Sequence, residues 1–201
     1  MSHVVAGALI NLSTAETLYS GKRLAGFDTL LQLKSLMEQE DWIPQGDLED
    51  FRRGSDSVKL GQLCALLAAS EFGGNTKKTA IVGWNGNGCS ANNALYWRDY
   101  VENGCELGRS ALFVATLPTT PICEAAITLG IKGSVFYLKT IPSTGVLLDE
   151  LEGLFQRENI DRILVLEIID GGACALLLES GSSVPETENL RQLFDIMKQG
   201  K

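Results

Sequence analysis

The stretch that decides the fold is ATLPTTPICEAAITLGIKG, from Ala115 to Gly133, followed directly by SVFYLKTIPSTG, from Ser134 to Gly145. The first part predicts a proline-rich loop and a short helix from Glu124 to Leu129, which Gly130 closes. The second part predicts a strand from Ser134 to Lys139 that ends in a turn. Strands that alternate with helices in this way are typical of an α/β sheet.

The flanking sequence adds four strands, and its last two strands must form a hairpin. Only Asp170 to Gly172 separates these two strands, whereas a parallel crossover needs roughly a dozen residues. We therefore predict an α/β fold with a mostly parallel five-stranded sheet, one antiparallel edge strand and helices packed on the sheet. The added strands are Val4 to Ile10, Thr79 to Trp84, Arg162 to Ile169 and Ala173 to Glu179; helices are predicted over Asp28 to Met37, Ser55 to Phe72, from Ser90, over Gly145 to Arg157 and over Thr187 to Lys198.

Composition excludes several classes of protein. The chain has 201 residues, of which 45% are hydrophobic, and this length suits a single domain spanning residues 1–201. Its 25 acidic and 17 basic residues give a net charge of −8, which opposes binding to nucleic acid and to anionic membranes. No window approaches the roughly 18 apolar residues of a membrane span, and the amino terminus lacks the features of a signal peptide. We therefore expect a cytoplasmic protein.

The cysteines and the histidine argue against a metal site. Five cysteines, without paired spacing, fit a reducing compartment better than a disulfide framework. His3 is the only histidine, and no Cys-x-x-Cys occurs, so zinc has almost no ligands. Cys64 and Cys174 lie among apolar neighbours and are predicted to be core residues.

A glycine-rich turn, with Gly83, Gly86 and Gly88, follows the strand that begins at Thr79. It lacks the spacing of a dinucleotide fingerprint and the lysine of a P-loop, so close backbone packing explains these glycines better than phosphate binding does. We therefore predict no cofactor.

The stretch from Ala115 to Gly133 resembles the loop, helix and Gly-Pro turn that precede the active site of β-ketoacyl synthases, which belong to the thiolase-like superfamily. The segment from Ser134 to Gly145 resembles the strand and nucleophile turn of these enzymes. Only Leu117 to Gly133 is specific to the family. The resemblance implies a free-standing amino-terminal ketosynthase-like domain, without the second half that carries the catalytic histidines.

The resemblance also places a proline where the family has its nucleophile. In β-ketoacyl synthases the strand ends in Thr-Ala-Cys-Ser-Ser, and the helix that starts at this Cys lowers its thiol pKa. Here Thr140 to Thr144 occupies that place, and Pro142 stands at the Cys position. Proline is tolerated in the first turn of a helix, so the turn can persist without its thiol. Ser143 and Thr144 are alternative nucleophiles for which the sequence shows no convincing base.

Three functional hypotheses remain open at this point. The first is a non-catalytic ketosynthase-like subunit in fatty-acid or polyketide-type biosynthesis. The second is an acyltransferase or thioesterase that uses Cys89, near a predicted helix start, or Cys123, in the proline-rich turn before its helix. The third is a scaffold or small-molecule sensor that has lost acyl chemistry.

The leading hypothesis implies a partner. Thiolase-type subunits pair through an edge strand, and Val135, Phe136, Tyr137 and Leu138 make this strand too apolar to remain bare. We predict a homodimer, or a heterodimer with a ketosynthase, through this edge. An acyl carrier protein is a further candidate partner, and the basic groups that could meet it are Arg52, Arg53 and Lys59, although the net charge of the chain opposes an acidic partner.

Overall fold

The computed structural model describes residues 2–43, 48, 51–73, 78–86, 88–106, 108–140, 143–157, 159–180, 185 and 187–199. Seven strands lie in the described ranges: β1 Ser2–Ile10, β2 Thr14–Thr17, β3 Arg23–Ala25, β4 Thr79–Asn85, β5 Val135–Tyr137, β6 Arg162–Ile169 and β7 Gly172–Ser180. The helices are α1 Leu30–Gln39, α2 Asp56–Phe72, α3 Ser90–Glu102, α4 Ser110–Ala115, α5 Thr120–Thr128, α6 Thr144–Arg157 and α7 Leu190–Gln199.

The strands form one mixed sheet in the order β3-β2-β1-β7-β6-β4-β5. β4 is parallel to β5 and β6, and β7 is antiparallel to both β6 and β1. The α/β class and the β6–β7 hairpin are confirmed. Two parts of the prediction are wrong. The sheet is not mostly parallel, since four of its six strand pairings are antiparallel. β7 is not an edge strand, because β1 covers its second side from Ser2↔Ser180 to Ile10↔Ala173. The continuous apolar run of β7 fits this interior position, since such a strand is buried on both faces.

The sheet is also wider than predicted, because β2 and β3 extend it beyond β1 by two short antiparallel strands. The sequence gives little signal for them, since they span only four and three residues and carry few apolar side chains. A carboxylate holds the turn after β2 in place. Glu71, at the end of α2, accepts hydrogen bonds from the backbone N–H groups of Gly7 at 2.9 Å, Ser20 at 2.5 Å, and Tyr19.

The helices follow the predicted pattern, with two differences. α2 begins after the Ser55 cap and ends at Gly73, which adopts the left-handed conformation that glycine favours. α5 begins four residues earlier than predicted, because Pro121 fits the first turn of a helix. Cys123 therefore lies within α5 and not in a turn before it. α4 was not predicted.

Helices cover both faces of the sheet and enclose two hydrophobic cores. On one face, α1, α2 and α5 pack against the sheet, and α2 is buried over most of its surface from Val58 to Ala68. On the other face, α6 contributes Leu147 and Leu151, and α7 contributes Leu193 and Phe194. These layers fix where the strand ends and their connecting turns lie.

One carboxylate is buried in the core on the α6–α7 face. Glu167, in β6, is 7% exposed and accepts a hydrogen bond from the indole Nε1–H of Trp84 at 3.1 Å. Burial raises the pKa of Glu167, and the hydrogen bond from Trp84 opposes this rise only in part. The folded protein therefore retains the proton of Glu167 to a higher pH than the unfolded chain does.

This difference predicts a pH-dependent stability. Between the ordinary glutamate pKa, 4.5, and the raised pKa of the folded state, only the folded protein holds the proton, so stability falls as pH rises through this window. Glu167→Gln removes the titration. We expect the stability of the variant relative to wild type to rise as pH increases from 4 to 7, measured by urea unfolding. Glu150→Gln, at an exposed site on α6, is the control; an equal gain there would contradict the assignment.

Candidate functional site

The carboxyl ends of the parallel strands β4, β5 and β6 meet at one edge of the sheet, where α/β folds bind their ligands. β4 ends at Asn85, and the turn after it leads to Cys89. β5 ends at Tyr137, which is level with Gly83 of β4. The turn between β5 and α6 lies at the same end. Pro142, which the sequence predicts to stand at the nucleophile position of β-ketoacyl synthases, lies outside the described residues.

The hydroxyl groups of Ser143 and Thr144, which follow Pro142 in the sequence, form hydrogen bonds with backbone groups. Ser143 Oγ accepts a hydrogen bond from Val146 N–H at 3.5 Å in the first turn of α6. Thr144 is buried, and its hydroxyl accepts from Thr187 N–H at 2.6 Å while it contacts the carbonyl of the same residue. Thr144 therefore ties the start of α6 to the segment before α7, a role with no signal in the sequence because the two residues lie 43 positions apart.

Cys89 lies at the start of α3 in the left-handed backbone conformation, with φ of 68°. Its side chain is 5% exposed, and Asn85 Nδ2 donates a hydrogen bond to its Sγ at 3.5 Å. Burial raises the pKa of the Cys89 thiol, although hydrogen bonds from Asn92 and Asn85 oppose the rise. Burial raises the pKa of the Tyr137 hydroxyl, and the negative charge of a nearby Cys89 thiolate would raise it further. Tyr137 and Cys89 therefore lie close together. A raised thiol pKa is unfavourable for a nucleophile.

The other cysteines divide into core and surface residues. Cys64 and Cys174 are buried as predicted, and Cys64 Sγ donates to the carbonyl oxygens of Ala8 at 3.5 Å and Ala173 at 3.4 Å. Burial raises the pKa of both thiols. Cys123 is exposed in the first half of α5, on the α2 side of the sheet. It is thus separate from the turn that holds Cys89.

The only histidine is remote from this edge. His3 Nε2 lies 3.7 Å from Glu179 Oε2, level with Arg162 at the amino end of β6. Four strand spacings of about 4.8 Å separate β1 from β5. His3 therefore does not reach the turn after β5. Within the described ranges, no group of three or more His, Cys, Asp or Glu side chains is placed to hold a metal ion.

β5 is the last strand of the described sheet, as the dimer prediction requires. Ile81 N–H donates to Ser134 O and Leu138 N–H donates to Gly83 O, both at 2.9 Å, so the even-numbered residues of β5 bond to β4. Alternation along the strand turns the backbone groups of Val135 and Tyr137 away from the sheet. Phe136 and Leu138 pack against the α6–α7 core, Tyr137 packs against the opposite core, and Val135 is 42% exposed.

A second apolar surface lies on α3 and α4, neither of which has a buried residue. Tyr96 stacks with Tyr100 and meets the ring of Phe113 edge-on at 5.8 Å, so the two helices pack on each other. Trp97 remains 63% exposed. The sequence favours burial of such side chains, and only the tertiary structure places them outside both cores.

In the described ranges, no helix has the length and apolarity to cross a membrane.

Sequence comparisons find no matching family model and no matching curated protein. Solved structures do match. A ketosynthase in complex with its chain length factor from Xenorhabdus doucetiae matches with a TM-score of 0.59 and 15% identity, over 98% of this chain and 91% of the matched chain. This is a ketosynthase-like fold.

Two further structures share this ketosynthase-like fold. The ishigamide ketosynthase/chain length factor matches with a TM-score of 0.61 and 10% identity, over 93% of this chain and 64% of that one. A β-ketoacyl synthase from Burkholderia phymatum STM815 matches with a TM-score of 0.55 and 9% identity, over 89% and 58%. The present chain thus spans less than two thirds of the length of these two matched chains. It spans nearly all of the chain matched in the Xenorhabdus doucetiae complex.

Proposed function

We propose that this chain is a ketosynthase-like subunit without condensing activity, which acts in fatty-acid or polyketide-type biosynthesis by association with a second ketosynthase-like chain. The observation that carries the proposal is the edge strand β5. Its outer backbone donors and acceptors face away from the sheet, between apolar side chains, and a partner strand would satisfy them.

The absence of condensing activity rests on the residues at the nucleophile turn. Pro142 stands where the resembling enzymes carry their cysteine. Cys89, the thiol nearest to this edge, is buried and has a raised pKa, and His3 lies at the opposite end of the sheet. The chemistry of acyl transfer needs a nucleophile and a base in contact, and these residues do not supply that pair.

The choice of partner rests on the comparisons and on the exposed surfaces. The first match is a complex of a ketosynthase with its chain length factor, and this chain covers nearly the full length of the chain that it matches. We therefore favour a complete ketosynthase or a second copy of this chain as the partner. The exposed rings and apolar side chains of α3 and α4 offer additional surface for such a contact. An acyl carrier protein is a further proposed partner, through the exposed Arg52 and Arg53.

The proposal predicts that the protein does not become acylated. After incubation with an acyl thioester on acyl carrier protein, intact mass spectrometry is expected to show no stoichiometric acyl adduct, because Cys89 is buried with a raised thiol pKa and His3 is too far away to act as its base. A stoichiometric adduct that hydroxylamine removes would overturn the non-catalytic proposal. Cys89→Ser and Cys123→Ser are the matched variants, since loss of the adduct in one of them alone identifies the reacting thiol.

A further inference from the structure

A cavity of about 270 Å³ lies between α2, α4 and α5, away from the nucleophile turn and from the outer edge of β5. Val58 and Gln62 line it from α2, where a spacing of four residues places them on one face of the helix. Ala111, Val114 and Ala115 line it from α4. Its volume is close to the lower end of small-molecule sites, which range over about 300–1,000 Å³.

A buried amide in the cavity lining has no hydrogen bond to its oxygen among the described residues. Gln62 is 2% exposed, and its Nε2 donates to Thr128 Oγ1 at 3.0 Å. Its Oε1 is buried and has no hydrogen-bond partner in the part of the chain that the structure describes. Buried polar atoms in folded proteins are almost always paired, so an orphaned acceptor in a cavity lining points to an occupant that brings a donor.

The remaining lining restricts the chemistry of that occupant. Val58, Val114 and the two alanines present hydrocarbon, which favours an apolar body. The lining also includes Ser55, Ser110 and Thr120, and the hydroxyl groups of Ser55 and Thr120 bond to backbone groups of the protein. Arg53 and Glu124 line the cavity with one charge of each sign, so the site has no net charge to select an ion. A neutral molecule fits this lining better than a carboxylate, a phosphate or an amine does.

We propose that this cavity is a binding site for a small, neutral, largely apolar ligand that donates one hydrogen bond, from a hydroxyl or an amide, to Gln62 Oε1. The site goes beyond the proposed association and does not depend on it, because no described residue of β5 or of the turn after it lines the cavity. It would give the chain a means of sensing or holding an apolar metabolite.

Two probes of identical formula test the proposal on the wild-type protein. Hexan-1-ol carries a hydroxyl donor, and 1-methoxypentane is its isomer without one. Titrations followed by two-dimensional ¹H–¹⁵N NMR are expected to show that the alcohol binds about fivefold more tightly and shifts the side-chain amide signals of Gln62, since one neutral hydrogen bond gives about this ratio. Equal affinities, or no binding of either probe, would overturn the proposal.

Variants then assign the preference to the residue and the cavity. Gln62→Met keeps the length of the side chain but removes the acceptor, so the fivefold preference is expected to disappear while the ether binds as before. Ala111→Trp, at an exposed position of α4, fills the cavity and is expected to abolish binding of both probes. Val146→Trp, exposed on α6, is the matched control and is expected to bind like wild type. A preference that persists in Gln62→Met, or binding that survives Ala111→Trp, would contradict the site.

Discussion

Val135→Pro is expected to convert the assembled protein to a monomer while it remains folded. The backbone N–H of Val135 faces away from β4, so proline removes a donor that only a partner strand would use. In a two-fold dimer the change removes two hydrogen bonds, and at about 1 kcal/mol each the dissociation constant rises by about 30-fold or more. Light scattering across a concentration series measures the mass, and circular dichroism reports the fold.

Two matched variants separate assembly from folding. Val135→Thr keeps the N–H and a β-branched side chain, so its mass is expected to equal that of wild type. Phe136→Pro removes a donor that faces β4 and is expected to destabilise the fold itself. Phe136→Lys is a poorer test, since Phe136 packs against the α6–α7 core and its replacement disturbs folding as well. A wild-type protein that is monomeric at micromolar concentration would exclude the homodimer and leave a different chain as the partner.

Gly83→Ala is expected to have the largest effect on stability. A Cβ added at Gly83 would lie 2.5 Å from Ile122 Cδ1 and 2.7 Å from the backbone oxygen of Leu166. The isoleucine can move, but the carbonyl belongs to β6, the strand that pairs with β4 at this register. Relief of the contact therefore requires the central strands to separate. We expect a loss of about 3 kcal/mol or more in urea unfolding, or failure to fold.

A second glycine provides the control. Gly153 lies within α6, and a Cβ there would come no closer than 3.6 Å to a flexible atom of Arg157. Alanine in a helix interior is favoured over glycine, so Gly153→Ala is expected to stabilise the protein by about 0.5–1 kcal/mol. Changes of the same sign and size at both positions would show that close packing at Gly83 is not the cause.

The sequence predicted those elements whose signals are local. The five predicted strands and the helices α1, α2, α3, α6 and α7 are present, because hydrophobic periodicity, the Ser55 cap and the Gly73 terminator are encoded within a few residues. β2, β3 and α4 were missed, since they are short and are held in place by neighbouring elements. β2 and β3 pair with each other and with β1, and α4 packs on α3. The position of β7 was mispredicted because a hairpin identifies one neighbour of a strand and says nothing about the other.

The candidate site shows the same division. The sequence predicted β5 as an edge strand, and the structure places β5 at the end of the described sheet. Its assignment of Pro142 to the nucleophile position stays a prediction, because Pro142 lies outside the described residues. The sequence could not predict that Thr144 binds Thr187 or that Cys89 lies beside Tyr137. Nor could it predict that the Gln62 oxygen has no partner among the described residues. Each of these three outcomes depends on residues from different elements, so spacing along the chain carries no information about them.

The sequence by itself determined which segments are strands and helices and which residues carry the ketosynthase resemblance, because these properties depend on side chains that are neighbours along the chain. Only the tertiary structure decided which strand covers the second side of β7, which apolar side chains of α3 and α4 remain exposed, and which buried groups lack partners among the described residues. Those outcomes depend on long-range pairing. β1 pairs with β7, from the far end of the chain, and β6 lies against β4, which leaves β5 and β3 as the two edge strands of the described sheet.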